Sequence, residues 1–323
     1  MAGLRVIPFS DEHLDAAGEL LAARQRRHRQ AEPLLPRRYE DPAEARAEVE
    51  ALWRADDTPG AVATRNGRVV AYLIGMRKRD DLWGANVWVE PAGHAAEDAE
   101  DLRDVYASAA TRWVETGRSG HYVVAPATDA ELVDAWFRLG FGQQHALGVR
   151  ELPDDASFAP GTREAEPDDL DDLIRLDPLI AEHQALSPVF AARRPEEDVD
   201  ALRDELLDDL KAPTVGCLVA EQDGRIVGSF CVYPVEVSSI HAGVARPDAV
   251  SFLGWAATAR EVRGSGAGLA LTHASFAWAR GQGYEVMVTD WRATNLLSSR
   301  FWPRRGFRPT FLRLYRSIPR GGD

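Results

Sequence analysis

Three glycines, Gly264, Gly266 and Gly268, fall within five residues in REVRGSGAGLALTHASFAWAR, Arg260 to Arg280. An apolar pattern at helical spacing follows at once. A strand, a glycine turn and a helix start together make an anion site. The first helical turn leaves backbone N–H groups unpaired, and the helix dipole favours negative charge there. Glycine admits positive φ and lets the backbone come close to a bulky phosphate. Arg263 adds a cation at the edge, and Ser265 and Ala267 complete the turn. Two common phosphate turns fit poorly. A P-loop needs Lys after its last glycine, and none follows. A Rossmann turn needs G-x-G-x-x-G after a first strand, whereas this G-x-G-x-G comes late and after an antiparallel hairpin. The pattern that fits is R-x-x-G-x-G, at Arg263, Gly266 and Gly268.

The elements that must carry this turn are used twice. GAVATRNGRVVAYLIG (Gly60 to Gly75) and GCLVAEQDGRIVGSFCV (Gly216 to Val232) both read as hairpins, turning at Asn66-Gly67 and Asp223-Gly224. DAWFRLGF and RFWPRRGF both place Trp four residues before Gly-Phe, at Trp136 and Trp302. The offsets are 157 and 166 residues, so one unit recurs with a short insertion in the second copy. The reading is an α/β (mixed α+β) chain with domains at 1–152 and 163–323. Residues 153–162, PDDASFAPGT, form the linker. Each copy runs strand, helices, hairpin, strand, helix, strand, helix, strand. That order predicts a twisted, mixed, mostly antiparallel sheet flanked by helices.

R-x-x-G-x-G, followed by Asn295, an aromatic seven residues on (Trp302) and Gly306-Phe307, resembles the GNAT superfamily, the Gcn5-related N-acetyltransferases. The resemblance covers about 163–318. It implies two tandem GNAT-like domains, with the turn after the fourth strand cradling the pyrophosphate of acetyl-coenzyme A. On this resemblance the coenzyme contacts are Ala257 and Thr258 on the strand, Arg263, Gly264, Ser265, Gly266, Ala267 and Gly268 in the turn, and Asn295 and Trp302 beyond. It also implies that a backbone N–H within Leu253–Ala259, freed where the strand splays, polarises the thioester carbonyl. Asp290, five residues before Asn295, is similar in position to a Glu assigned as base in members that acetylate ribosomal-protein N-termini. Glu182, His183, Glu236 and His241 are alternatives. Many members place Tyr where this chain has Trp302, and an indole N–H cannot protonate a thiolate near neutral pH. Trp136 at the matching place in the first copy implies packing for both tryptophans.

The first copy lacks the turn. Only Gly93 remains, among Glu90, Glu97, Asp98, Glu100 and Asp101, and carboxylates repel a pyrophosphate. Asp129 stands in place of Asn295, and Val124 in place of Asp290. The expectation is a degenerate first copy and a working second one. The activity expected is acetyl transfer from acetyl-coenzyme A to a primary amine of a small molecule. The alternative is a non-catalytic acyl-coenzyme A sensor. A net charge of −13 argues against a nucleic-acid partner and is compatible with a cationic acceptor. No long apolar run and no leader pattern occur, so a cytoplasmic protein without membrane contact is expected, as monomer or homodimer. A two-residue loop at Asp223-Gly224 would pair Cys231 with Gly216, which sets Cys217 and Cys231 on opposite faces. Two cysteines suggest neither a disulfide nor a metal cluster.

Overall fold

The computed structural model describes residues 3–55, 59–80, 84–190 and 198–319. It is a mixed α/β chain that divides into two compact units. In chain order the elements run β1 (Arg5–Pro8), α1 (Leu14–Ala31), α2 (Pro42–Arg54), β2 (Gly60–Arg65), β3 (Arg68–Ile74), β4 (Met76–Asp80), β5 (Gly84–Val89), β6 (His94–Ala96), α3 (Ala99–Glu115), β7 (Gly120–Pro126), α4 (Ala130–Arg138) and β8 (Gly142–Glu151). They continue with β9 (Thr162–Glu164), α5 (Leu170–Leu176), α6 (Pro178–Gln184), α7 (Val199–Lys211), β10 (Gly216–Gln222), β11 (Arg225–Pro234), β12 (Val250–Thr258), α8 (Ala267–Gly281), β13 (Val286–Arg292), α9 (Ser298–Arg304) and β14 (Arg308–Ser317). Helical residues before Val199 that the sequence predicts, Pro195 to Glu197, lie outside the described residues.

The units do not follow the linker. Unit 1 holds Met1–Leu147, Gly243–Arg246 and Pro309–Asp323; unit 2 holds Gly148–Ala242 and Pro247–Arg308. The physical reason lies in the last strand. β14 pairs antiparallel with β7 from Phe311↔Pro126 to Ser317↔Gly120, so the chain's end completes the first unit's sheet.

Within each unit most ladders are antiparallel, with one parallel pair in the same place: β5 with β7 in unit 1, β12 with β13 in unit 2. Both hairpins turn where expected, with positive φ at Asn66-Gly67 and Asp223-Gly224. Both carry a bulge three residues past the turn. In β3 the extra residue is Val70, between pairs Thr64↔Val69 and Ala63↔Ala71; in β11 it is Val227.

That bulge corrects the cysteine geometry. It shifts the register by one, so Cys217 pairs directly with Cys231 and Gly216 with Val232. The two buried thiols share a face, with Sγ atoms 3.9 Å apart.

Unit 1 packs α3 on its hairpin around Tyr106, Trp113, Trp136 and Phe141. In unit 2, α8 covers one face: Trp278 lies where a side chain at Gly216 would go, and Leu271 stands against Gly228. α5 and α7 cover the other, where Leu173, Leu176, Leu206 and Leu210 meet Val219 and Ile226. No described helix is long and apolar enough to cross a membrane, and no described group of His, Cys, Asp and Glu could hold a metal ion.

Candidate functional site

β12 ends at Thr258 and eight residues, 259–266, lead into α8. Gly264 and Gly266 hold φ at +89° and +99°, the left-handed region that other residues enter only at a cost. A Cβ at either would meet nothing within 4 Å, so backbone conformation alone demands glycine and the space above the turn is open. Gly268 differs: a Cβ there would make ordinary contact with Phe301, 3.5 Å away, and the sequence pattern overstates its necessity. Gly266 is the N-cap of α8 and no side chain caps the helix. The Ser265 hydroxyl is engaged elsewhere, accepting from Gln222 Nε2 at 3.1 Å. The first-turn N–H groups of a fifteen-residue helix therefore face an open surface with Arg263 exposed at its edge. A pyrophosphate fits such a donor set, having charge for the dipole and oxygens for several amides.

Beside the turn the sheet opens. β12 pairs with β13 only from Val250↔Val286 to Phe252↔Val288, then continues to Thr258 along β11 alone. The Thr289 hydroxyl donates to Leu253 O at 2.8 Å where the ladder ends. A bulge at Gly254, between pairs Val232↔Leu253 and Cys231↔Trp255, re-aims the strand at this point. The splay expected in Leu253–Ala259 is thus present, with Ala257 and Thr258 past it, opposite Ser229 and Gly228.

The side chains around the opening follow from the register. Phe252 pairs with both Tyr233 and Val288, so Tyr233, Val288 and, by alternation, Asp290 and Arg292 share the face that α5 to α7 cover. Asp290 is half-buried there. Arg292 Nε donates to Gln184 Oε1 of α6 at 2.9 Å. His183, also on α6, donates through Nε2 to Asn295 Oδ1 at 3.1 Å. The same oxygen accepts from Leu297 N at 3.1 Å and Ser298 N at 3.3 Å, so Asn295 orders the start of α9. Glu182 reaches Arg260 across 3.5 Å and Glu236 is exposed on a short 3-10 turn. His241 is buried, its Nδ1 2.9 Å from the Ser238 hydroxyl.

Trp302 is 6% exposed and packs against Phe230, Phe301 and Phe307 with centroids 4.9–5.9 Å away, so little of its surface is open to a ligand. Trp136, fully buried against Tyr106 and Phe141, occupies the matching place.

Sequence reasoning missed one pair. The Tyr233 hydroxyl donates to Asp209 Oδ2 of α7 at 3.0 Å, on the same face as Asp290. Burial raises the Asp209 carboxyl, with Tyr233 opposing and Glu205 and Asp208 adding to it. Burial likewise holds the Tyr233 phenol protonated far above its ordinary range. Alternation along β11 marks the face of Tyr233, but its partner comes from a helix 24 positions earlier and leaves no local signal.

Unit 1 handles the corresponding junction differently. Nine residues, 90–98, lie between β5 and α3, and His94–Ala96 among them pair with β3 as β6. Asp98 is the N-cap and its carboxylate accepts from Glu100 N at 2.9 Å. Glu97 pairs with Arg68, Asp101 with Arg65 at 2.6 Å, and Glu100 with Arg103 and Arg138. The gap after the β5–β7 ladder is filled as well: His94 Nε2 lies 3.1 Å from Val124 O, and Arg24 donates to the carbonyls of His94 and, at 2.6 Å, Pro91. Asp129 accepts from Leu132 N at 3.1 Å and caps α4, whereas Asn295 stands two residues before Leu297, the N-cap of α9.

Comparison with known proteins agrees with this architecture. The model of the acetyltransferase (GNAT) family matches residues 180–307. Among solved structures, a GCN5-related N-acetyltransferase from Sphaerobacter thermophilus is similar over 99% of this chain and 97% of its own, at 16% identity and a TM-score of 0.58. A tandem GNAT protein from the clavulanic acid biosynthesis pathway covers 99% of this chain and all of its own, at 14% and 0.50. A glucosamine N-acetyltransferase region of a fungal multi-domain β-N-acetylglucosaminidase covers 98% of this chain and 38% of its own, at 16% and 0.54. No curated protein matches the chain by sequence. Residues 180–307 thus match the GNAT family model, and the similarity to these solved structures is one of fold.

Proposed function

We propose that unit 2 transfers an acetyl group from acetyl-coenzyme A to a primary amine of a small molecule. The carrying observation is the uncapped, glycine-led start of α8 beside the splayed end of β12. The α8 amides and Arg263 would hold the pyrophosphate. A backbone N–H of Gly254–Thr258, left without a ladder partner towards β13, would polarise the thioester carbonyl. Asp290 would take the proton of the acceptor ammonium, directly or through a water, since Asp is short. Asp209, Asp290 and the phenol of Tyr233 give this face a polar, acidic character suited to an amine. The bound thioester supplies the acetyl group; what this chain's residues do is orient it, exclude water and move the acceptor's proton.

The test is release of free thiol from acetyl-coenzyme A across a panel of amines, comparing the natural protein with Asp290→Asn. A drop of roughly 100-fold in kcat with an unchanged Kd for acetyl-coenzyme A is expected for a lost general base. Equal turnover by the two proteins would remove Asp290 from the chemistry.

A second reading, a non-catalytic acyl-coenzyme A sensor, is favoured by one observation. Trp302 is sealed in the core where an acid for the leaving thiolate would stand. Tight coenzyme binding without turnover on any amine would support it.

A further inference from the structure

A cavity of about 430 Å³ opens within unit 1. Arg24, Arg27 and His28 line it from one face of α1, three and four positions apart; Glu97, Asp129 and Glu131 line it from the approaches to α3 and α4. Arg24 is 2% exposed and forms no ion pair among the described residues. Its hydrogen bonds end on the carbonyls of Pro91 and His94, and its Nε makes none. Burial pulls the guanidinium down to about 10, with Tyr72 and the Asp129 carboxylate opposing and Arg27 adding to it, which leaves it charged at neutral pH. His28 is 3% exposed, and neither ring nitrogen closes a hydrogen bond, although the Thr310 backbone stands near one of them. Burial, with Arg24 adding to it, holds His28 neutral, at about 3. Arg27 is exposed and likewise forms no ion pair among the described residues.

A buried cation with no carboxylate in contact is costly, and a buried unpartnered imidazole adds to that cost. Both border a space large enough for a small organic molecule. We infer that this cavity binds a small organic monocarboxylate. Its carboxylate meets the guanidinium groups of Arg24 and Arg27, and its short apolar body lies against Pro126, Leu132 and the neighbouring alanines. The charge on the opposite wall decides against larger anions. Glu97, Asp129 and Glu131 repel a diphosphate, so the cavity is not a second coenzyme site.

Titration calorimetry of the full chain with acetate, butyrate, benzoate and octanoate tests this, with benzamide, inorganic phosphate and ADP as controls. At least one carboxylate is expected to bind with a Kd below about 1 mM, and benzamide at least ten times more weakly than benzoate. Arg27→Glu lies on the exposed side, keeps the fold, and is expected to weaken carboxylate binding tenfold or more. Arg24→Met is expected to abolish it; should that variant fail to fold, Arg27→Glu decides alone. No carboxylate binding below about 10 mM would overturn the inference. So would phosphate or ADP binding as tightly as the carboxylates, benzamide matching benzoate, or unchanged affinity in Arg27→Glu.

Discussion

The first turns of α8 and α3 start from the same place in a repeated unit and end differently. The α8 turn follows an eight-residue connection, has a left-handed glycine as N-cap and no capping side chain. The α3 turn follows a nine-residue connection from β5, tied to β3 through β6, and is capped by Asp98, with Glu97, Glu100 and Asp101 each held by arginine. A helix N-terminus attracts an anion in either case. Unit 1 supplies that anion from its own chain, and unit 2 leaves the place for something else. One capping side chain, and a connection tied into the sheet by β6, separate a self-capped helix start from an uncapped one.

This contrast can be broken most severely at Gly266. Gly266→Trp forces a side chain into a left-handed position over the open turn, where nothing else would clash. Loss of acetyl-coenzyme A affinity by roughly 1,000-fold or more, about 4 kcal/mol, is expected by calorimetry, with the circular dichroism of the natural protein retained. Unchanged affinity would dissociate the turn from the coenzyme. The same titration of the natural protein should give one coenzyme per chain; two would mean that the acidic junction of unit 1 also binds it.

Acid should separate the units next. Burial holds His28 and His94 at about 3 and His121 at about 4, all in unit 1 and all below the ordinary 6.5. Each stays neutral in the fold but protonates near 6.5 once unfolded. Their contribution is complete above pH 6.5 and is lost as pH falls towards 4 and 3, because the unfolded chain binds more protons across that window. Together this amounts to roughly 7 kcal/mol between pH 7 and 4.5, comparable with the stability of a domain. Hydrogen exchange should show unit 1 amides losing protection first; simultaneous loss in both units, or loss in unit 2 first, would contradict this.

The smallest effect concerns the cap itself. Asp98→Ala should cost about 1 kcal/mol and lower the melting temperature by a few degrees, since one first-turn amide loses its acceptor. It should create no coenzyme affinity, because the connection stays tied to β3 through β6 and the carboxylates of Glu97, Glu100 and Asp101 remain. Coenzyme binding by this variant would show that the cap alone made the difference.

Much of this was legible in the residues. Asn66-Gly67 and Asp223-Gly224 announce their hairpins because only a few residue types accept positive φ. The glycine turn announces the helix start for the same reason. The register of the cysteines was not legible, since the bulge at Val227 leaves turn and strand patterns intact while moving every later pair by one. The ends of the units were not legible either: β14 reads as a plain apolar strand, and nothing local says which sheet edge it joins. Asn295 carries a recognisable spacing, yet its amide oxygen is spent on α9 and His183. That follows only from where α6 comes to rest. The Tyr233–Asp209 bond likewise depends on tertiary packing that no local period encodes.

The placement of β14 also bears on synthesis. A ribosome delivers β7 long before β14, yet seven ladder positions of unit 1 pair Phe311 to Ser317 with Gly120 to Pro126. β7 must wait with an unsatisfied edge until everything from α4 to α9 has been made. A nascent chain stalled before Pro309 would carry that open edge into the cell, where cross-pairing with other strands competes with completion.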